Sequence, residues 1–166
     1  PNALWWFRWA AFFTFLTGLY LLEAISGRLN EGIILGALMG TLMMLNVWGI
    51  IWPNQKIVIG LKEGDAAIAG PKALLASRTN TLFSFAMLYF MLASVHGPGA
   101  GSLSELFILN GSLNLTTGLL LGTAIILIIE MNAIWGKLFP FIASVRGVIS
   151  SGLVLTVLLS SVSYYL

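Results

Sequence analysis

Three side chains in this sequence could carry chemistry: the single histidine, His96, and two polar residues within apolar stretches, Glu130 and Asn46. An imidazole can bind haem iron or a metal, or transfer protons. One histidine cannot supply both axial ligands of a haem. The sequence therefore predicts that a haem bound through His96 would be shared with another subunit.

Each of these residues also has a plainer interpretation. His96 could make a local hydrogen bond at the membrane boundary, and Asn46 could bridge two helices. Glu130 could form an ion pair with Lys137 or Arg146, take part in a proton path or substrate site, or stay buried and uncharged, because a carboxylate within a membrane helix seldom faces lipid. The sequence alone leaves these alternatives open.

Several classes of site lack their minimum residues. The chain has no cysteine, which excludes disulfides, cysteine-ligated metals and covalent c-type haem within it. It has no phosphate-binding loop, no HExxH zinc motif and no nucleophile elbow. No metal site is predicted from the residues of this chain alone.

The composition predicts what must position these residues. Apolar residues make up 58% of the chain and charged residues 8%, whereas soluble domains carry about 25% charge. The apolar blocks lie at about 3–26, 30–53, 79–96, 107–134 and 145–166. Each approaches the roughly 20 residues that a membrane-spanning helix needs. We therefore expect an all-α membrane bundle of about five transmembrane helices, forming one domain over residues 1–166.

The basic residues predict the orientation of the bundle. Numbering the blocks as spans leaves Arg28 alone on one face and seven basic residues on the other: Arg8, Lys56, Lys62, Lys72, Arg78, Lys137 and Arg146. Basic residues are retained on the cytoplasmic side, which places the N-terminus inside and the C-terminus outside. The basic pI of 9.2 comes from these loops, so nucleic-acid binding is not expected.

Local signals predict helix ends and helix contacts. Pro53 and Asn54 are expected to end the second span, and Pro71 to begin a short interfacial helix in the inner loop at 54–79. Glycines spaced by four are typical of close helix packing in membranes. They are Gly32, Gly36 and Gly40 in the second span and Gly118 and Gly122 in the fourth.

Three stretches carry a family resemblance: 4–9 (LWWFRW), 46–56 (NVWGIIWPNQK) and 75–96, which ends at His96. Together they resemble the membrane domain of the bacterial membrane-bound urate hydroxylases. The sequence contains no Cys-x-x-Cys-His motif of that family's cytochrome c domain, and no histidine precedes residues 4–9, where the family has a histidine-containing helix. Besides His96, the resemblance places family motif positions at Asn46, Trp48, Trp52, Asn54, Arg78 and Asn80.

The resemblance implies an integral subunit of a larger redox or respiratory-type complex in the bacterial inner membrane. Its partners would be the lipid bilayer, other membrane subunits and a cytochrome c, and its role would be assembly or electron transfer rather than catalysis. One alternative is a catalytic membrane subunit that oxidises urate or another small substrate and passes electrons to a separate cytochrome c. The other is a purely structural scaffold.

Overall fold

A computed structural model describes residues 2–25, 29–96 and 116–165. Within these residues all regular secondary structure is helical. The elements are α1 (Asn2–Ala24), α2 (Glu31–Asn46), a π-helical turn (Val47–Ile51), α3 (Trp52–Val58), α4 (Ala66–His96), α5 (Thr117–Trp135), α6 (Pro140–Ala143) and α7 (Val145–Tyr165). The all-α prediction is confirmed.

Three of the described helical stretches are long and apolar enough to cross a membrane. They are Glu31–Val58, Thr117–Trp135 and Val145–Tyr165. The outward faces of these helices carry large apolar side chains such as Ile128 and Val154, which are about two-thirds exposed. A surface of this kind is suited to lipid rather than water. The chain is therefore an integral membrane protein.

The four core helices α2, α4, α5 and α7 run alternately up and down. At one end, the start of α2 meets the end of α4, since the Nδ2 of Asn30 donates to the carbonyl of Ser94 at 3.2 Å. At that same end Glu31 of α2 accepts hydrogen bonds from Thr116, before α5, and from Ser163 near the end of α7. Each helix therefore reverses the direction of the one before it.

Helix α4 lies at the centre of the bundle, where it packs against α2, α3, α5 and α7. Its Phe83 is completely buried. The same buried apolar cluster contains Leu35 and Met39 from α2, Ile126 from α5 and Leu159 from α7. Close packing of these side chains fixes the relative positions of the four helices.

Helix α1 lies at the edge of the bundle. None of the α1 residues that the structure describes is buried. It packs against α2 and the π-helical turn, where Ala11 lies beside Val47 and Ile51, and its Arg8 contacts the ring of Trp52 in α3. The position of α1 therefore depends on few contacts with the other helices.

The prediction that Pro53 and Asn54 end the second span is wrong. The helical chain continues through the π-helical turn and α3 to Val58. Proline lacks an N–H, and its ring crowds the carbonyl four residues earlier. The wider π-helical turn just before Pro53 gives the ring more space, so the helix can continue. The Nδ2 of Asn54 also donates to the carbonyl of Ile50 at 2.7 Å, so the side chain supports the helix.

Pro71 does not begin a short helix, as predicted, but lies inside α4. The helix starts at Ala66. Asp65 stabilises its first turn, because the Oδ1 of Asp65 accepts from the N–H of Ala67 at 2.8 Å. Proline at the sixth helical position removes one hydrogen bond near an exposed end, where water can bind the unpaired carbonyl. Helix α4 therefore has 31 residues and is about 46 Å long, and the predicted inner loop at 54–79 shrinks to 59–65.

Candidate functional site

Three polar side chains from three helices meet inside the bundle. The Nδ2 of Asn46, at the end of α2, donates to the Oδ1 of Asn80 in α4 at 3.0 Å. It also donates to the Oε2 of Glu130 in α5 at 3.1 Å. We call Asn46, Asn80 and Glu130 the amide–carboxylate cluster.

Two members of the amide–carboxylate cluster are buried, and the third, Asn80, is half-buried. Asn46 is 1% exposed and Glu130 is 6% exposed. The Nδ2 of Asn80 donates in turn to the carbonyl of Met43, one turn before Asn46, at 3.0 Å. An unsatisfied polar group in this environment would cost several kcal/mol, so the cluster joins α2, α4 and α5 through mutual hydrogen bonding. Chemically it is a buried carboxylate that accepts from one amide, Asn46, and is able to hold a proton.

The partner of Glu130 differs from those considered in the sequence. Its hydrogen bond comes from Asn46, not from Lys137 or Arg146. Lys137 lies beyond the end of α5, where its backbone N–H and carbonyl pair with the side chain of Asn132 at 3.3 Å. The helix therefore ends in a local cap, and Glu130 points into the bundle instead of toward the membrane surface.

A second polar cluster lies at the opposite end of α2 and consists of Asn30, Glu31, Ser94, Thr116 and Ser163. The Oδ1 of Asn30 caps α2 by accepting from the N–H of Ile33 at 2.9 Å, as asparagine commonly does at helix starts. Glu31, 4% exposed, accepts from Thr116 and, at 3.4 Å, from Ser163. This capping cluster holds the ends of α2, α4, α5 and α7 together.

Apolar packing separates the two polar clusters. Between them lie Leu35, Met39 and Ile126, each with no exposed surface. Glu31 and Asn46 are fifteen residues apart in α2, which corresponds to about 22 Å. A proton could not step directly between the two carboxylates over that distance, so the structure favours a local role for each cluster.

His96 is the last residue of α4 and its side chain is exposed. Its neighbours Leu92 and Val95 are also exposed. This end of α4 belongs to the same end of the bundle as the capping cluster, because Ser94 contacts Asn30. The imidazole is thus presented at the rim of the bundle beside apolar side chains, where another protein could reach it.

The remaining motif positions have different surroundings. Trp48 and Trp52 lie against the guanidinium of Arg8, whose Cζ is 5.0 and 4.1 Å from their ring centroids. Arg78 is half-buried, and its Nε has no hydrogen-bond partner among the described residues. Asn54 supports the helix around Pro53. The structure therefore brings Asn46 to Asn80 and Trp48 to Trp52, but it does not gather the motif positions into one site.

The glycines lie where helices approach closely. Gly32, Gly36 and Gly40 face Phe90, Met91 and Met87 of α4. A Cβ added to Gly118 would lie 2.9 Å from the carbonyl oxygen of Val162 in α7, and one added to Gly122 would lie 2.9 Å from Leu35 in α2. At Gly118 the atom in the way belongs to the α7 backbone, whereas at Gly122 the side chain of Leu35 would have to shift.

Sequence reasoning missed two features of these sites. It considered Asn46 and Glu130 separately and did not join them, and it overlooked Glu31. A usable signal for Glu31 was present, since Asn30 followed by Glu31 is a common helix start with a carboxylate in the first turn. The hydrogen bonds of Glu31 to Thr116 and Ser163 had no sequence signal.

Comparison with known proteins assigns a family to the part of the chain that contains α2 and α4. Residues 25–125 match the sequence profile of the urate oxidase N-terminal family. The chain belongs to this family. The resemblance seen in the sequence is thereby confirmed.

The family match covers Asn46, Trp48, Trp52, Asn54, Arg78, Asn80 and His96. The tryptophan-rich stretch at 4–9 and Glu130 lie outside it. No match was found among curated proteins or among solved structures. The family therefore relates to the α2–α4 part of the bundle, whereas α7 and the Glu130 end of α5 complete the two polar clusters from outside the matched range.

Proposed function

We propose that the chain is an integral membrane subunit, similar to the membrane domain of urate hydroxylases, within a larger redox complex. Its role there is to assemble the complex or assist electron transfer. Membership of the urate oxidase N-terminal family supports the link to urate oxidation. The apolar helices support a position within the bilayer.

The observation that carries this proposal is the separation of the groups that could do chemistry. Asn80 and His96 lie sixteen residues apart in α4, which corresponds to about 24 Å. A molecule the size of urate cannot contact both the amide–carboxylate cluster and His96. A redox reaction that uses these groups therefore needs further groups from a partner, as a subunit of a complex would have.

His96 is the residue that we propose faces the redox partner. Its exposed imidazole at the rim of the bundle, flanked by exposed Leu92 and Val95, suits an axial haem ligand, which combines an iron-binding nitrogen with apolar contact for the macrocycle. A haem held there would supply one-electron transfer. The chain itself would orient the imidazole through the end of α4, and a second ligand would come from another subunit such as a cytochrome c.

A catalytic role is the second candidate, and the amide–carboxylate cluster favours it. A buried carboxylate bonded to Asn46, which is in turn bonded to Asn80, is a polar group that could orient a small planar substrate within the bundle. A π-helical turn directly follows Asn46, and such turns are frequent at functional sites. In this alternative the chain oxidises urate or a similar substrate and passes the electrons to a separate cytochrome c.

We further propose that α1, α2, α4, α5 and α7 all cross the inner membrane of a bacterium, with the N-terminus inside. The alternating directions of the core helices and the contact of the α1 start with α3 support five successive crossings. Helices α1 and α4 are less apolar than the other three, since α1 carries Arg8 and several tryptophans and α4 carries Arg78 and Asn80. The distribution of basic residues supports the orientation.

Labelling of introduced cysteines tests this topology. The chain has no cysteine of its own, so Leu61→Cys and Tyr165→Cys each create a unique thiol at an exposed position. We expect an impermeant maleimide applied to intact cells to label Tyr165→Cys, whereas Leu61→Cys reacts only after the cells are opened. Labelling of both thiols from the same side would contradict the five-span topology.

The proposed function is tested on the complex isolated from its native membrane. We expect the affinity-tagged chain to co-purify with a haem protein, and urate to reduce that haem in an absorption spectrum. Reduction by urate with the purified chain and an added cytochrome c alone would instead support the catalytic alternative. Absence of any haem partner and of any response to urate would leave a structural scaffold and contradict both redox roles.

The variant His96→Ala separates assembly from electron transfer in the same preparation. We expect this substitution to change the haem spectrum or to lower the rate of urate-dependent reduction, with little change in the thermal stability of the bundle, because the imidazole is exposed. Tyr165→Phe, also exposed near that end, is the control and should leave the spectrum unchanged. A haem spectrum indifferent to His96→Ala would exclude this residue as the ligand.

A further inference from the structure

The guanidinium of Arg8 lies in a cage of three tryptophans from three elements. Its Cζ is 4.1 Å from the ring centroid of Trp52 in α3, 5.0 Å from that of Trp48 in the π-helical turn and 5.6 Å from that of Trp9 in α1. Cation–π attraction at these distances holds a guanidinium in place. A guanidinium stacked on a ring keeps its N–H groups in its own plane, where they can bind an oxyanion in pairs. We call these four residues the Arg8 cage.

The Arg8 cage contains hydrogen-bond donors but no side-chain acceptors. Arginine and tryptophan side chains only donate. The Nε of Arg8 and the Nε1 atoms of Trp9 and Trp48 are enclosed without a partner among the described residues. Unpaired buried donors are uncommon in proteins. The cage is therefore missing an acceptor, which these donors could reach after small shifts of their side chains.

A second cation lies beside the Arg8 cage. The Nζ of Lys56 is 5.3 Å from the ring centroid of Trp52, the same indole that stacks on Arg8. Two positive charges that share one aromatic ring repel each other unless an anion lies between them. A negatively charged acceptor within reach of both cations would offset this repulsion.

The surroundings of the cage indicate where this anion comes from. Trp5 and Trp6, at the start of α1, are 45% and 67% exposed, and exposed tryptophans near helix ends typically lie at the headgroup level of a bilayer. The exposed Phe7 lies beside Arg8. An anion that arrives with its own acyl chains can cover these apolar side chains, whereas a free anion cannot.

We propose that the Arg8 cage binds the phosphate of an anionic phospholipid, with Arg8 and Lys56 as the two cationic contacts. Basic pockets between membrane helices bind such headgroups. The lipid bridges α1 to α3 and so supplements the few contacts that attach α1 to the bundle. This inference does not depend on the redox function proposed above.

The test is the lipid dependence of the thermal stability of the purified full-length chain in a neutral detergent. We expect phosphatidylglycerol to raise the unfolding temperature in a saturable way, and phosphatidylcholine to raise it much less. Arg8→Gln and Lys56→Gln should each weaken the apparent affinity for phosphatidylglycerol about fivefold, since each removes one basic contact. Lys62→Gln, in the exposed loop after α3, is the matched control and should leave the affinity unchanged.

Inorganic phosphate and a conservative variant complete the design. If phosphate alone stabilises the chain as well as phosphatidylglycerol does, the lipid assignment is overturned and the cage binds a soluble anion. Equal weakening by Arg8→Gln and Lys62→Gln overturns the site, since a diffuse charge effect would then explain the lipid preference.

Arg8→Lys keeps the positive charge and is the variant to use if Arg8→Gln does not fold. It should still bind phosphatidylglycerol more weakly than the wild type, because lysine cannot offer paired donors; unchanged binding would contradict the caged geometry.

Discussion

Replacing Asn46 with leucine is expected to lower the free energy of unfolding by about 2–3 kcal/mol. Asn46 is 1% exposed, so the leucine gains no contact with lipid. The substitution removes the donor to both Glu130 and Asn80 and leaves the carboxylate buried without its hydrogen bond. Titration of the detergent-solubilised protein with a denaturing detergent measures this loss.

A double-mutant cycle distinguishes the lost hydrogen bonds from general disruption of packing. Removing both partners of a buried hydrogen bond costs less than removing one, so Asn46→Leu combined with Glu130→Leu should be more stable than Asn46→Leu alone. Asn132→Leu is the control, because its hydrogen bonds lie at the exposed end of α5, and it should cost less than about 1 kcal/mol. Strictly additive effects of the Asn46 and Glu130 substitutions would show that the two side chains are not coupled.

Gly118→Leu is expected to destabilise the bundle by about 3 kcal/mol. Its first added carbon would lie 2.9 Å from the carbonyl oxygen of Val162 and 3.1 Å from the Oε2 of Glu31. The neighbouring atom in α7 belongs to the backbone, so α5 must move away from α7 and the capping cluster must open. The measurement is again the free energy of unfolding in detergent, together with the unfolding temperature.

Two other glycines serve as controls for the Gly118 substitution. At Gly18 no heavy atom of the described residues lies within 4 Å of an added Cβ, so Gly18→Leu should be neutral or slightly stabilising because leucine favours a helix more than glycine does. At Gly36 the nearest atom, the Cγ of Met91, would be 3.5 Å away, so Gly36→Ala should be tolerated whereas Gly36→Leu should loosen the contact with α4. Equal effects of leucine at Gly18 and Gly118 would contradict the close approach of α5 to α7.

Much of the helical organisation could be predicted from the sequence because it depends on composition and length. A chain with 8% charged residues and apolar blocks of about 20 residues must place its surface in lipid. There, a segment that is not part of a closed barrel can pair its backbone N–H and carbonyl groups only by forming a helix. The four-residue spacing of Gly118 and Gly122 is also local, since it puts both on one helix face. The first part of the predicted block at 107–134, residues 107–115, lies outside the described residues.

The helix ends around proline could not be predicted with the same rules. Pro53 is expected to stop a helix because it lacks a donor, but a π-helical turn precedes it and the side chain of Asn54 donates to the carbonyl of Ile50, and the helix continues. Pro71 was expected at a first helical turn, but Asp65 starts α4 earlier. In both cases a neighbouring side chain or a small change in helical pitch decided the outcome, and propensity alone does not contain that information.

By itself the sequence determined that this chain is a helical membrane protein of the urate oxidase N-terminal family, because hydrophobicity, length and motif residues are properties of the linear chain. Only the tertiary structure decided which polar residues meet. Asn46 is 34 residues from Asn80 and 84 from Glu130, and Arg8 reaches Trp52 from a different helix. Such pairs form because packing of α4 against α2 and α5, and of α1 against the π-helical turn, brings distant side chains within hydrogen-bonding or cation–π distance, and no local pattern encodes that proximity.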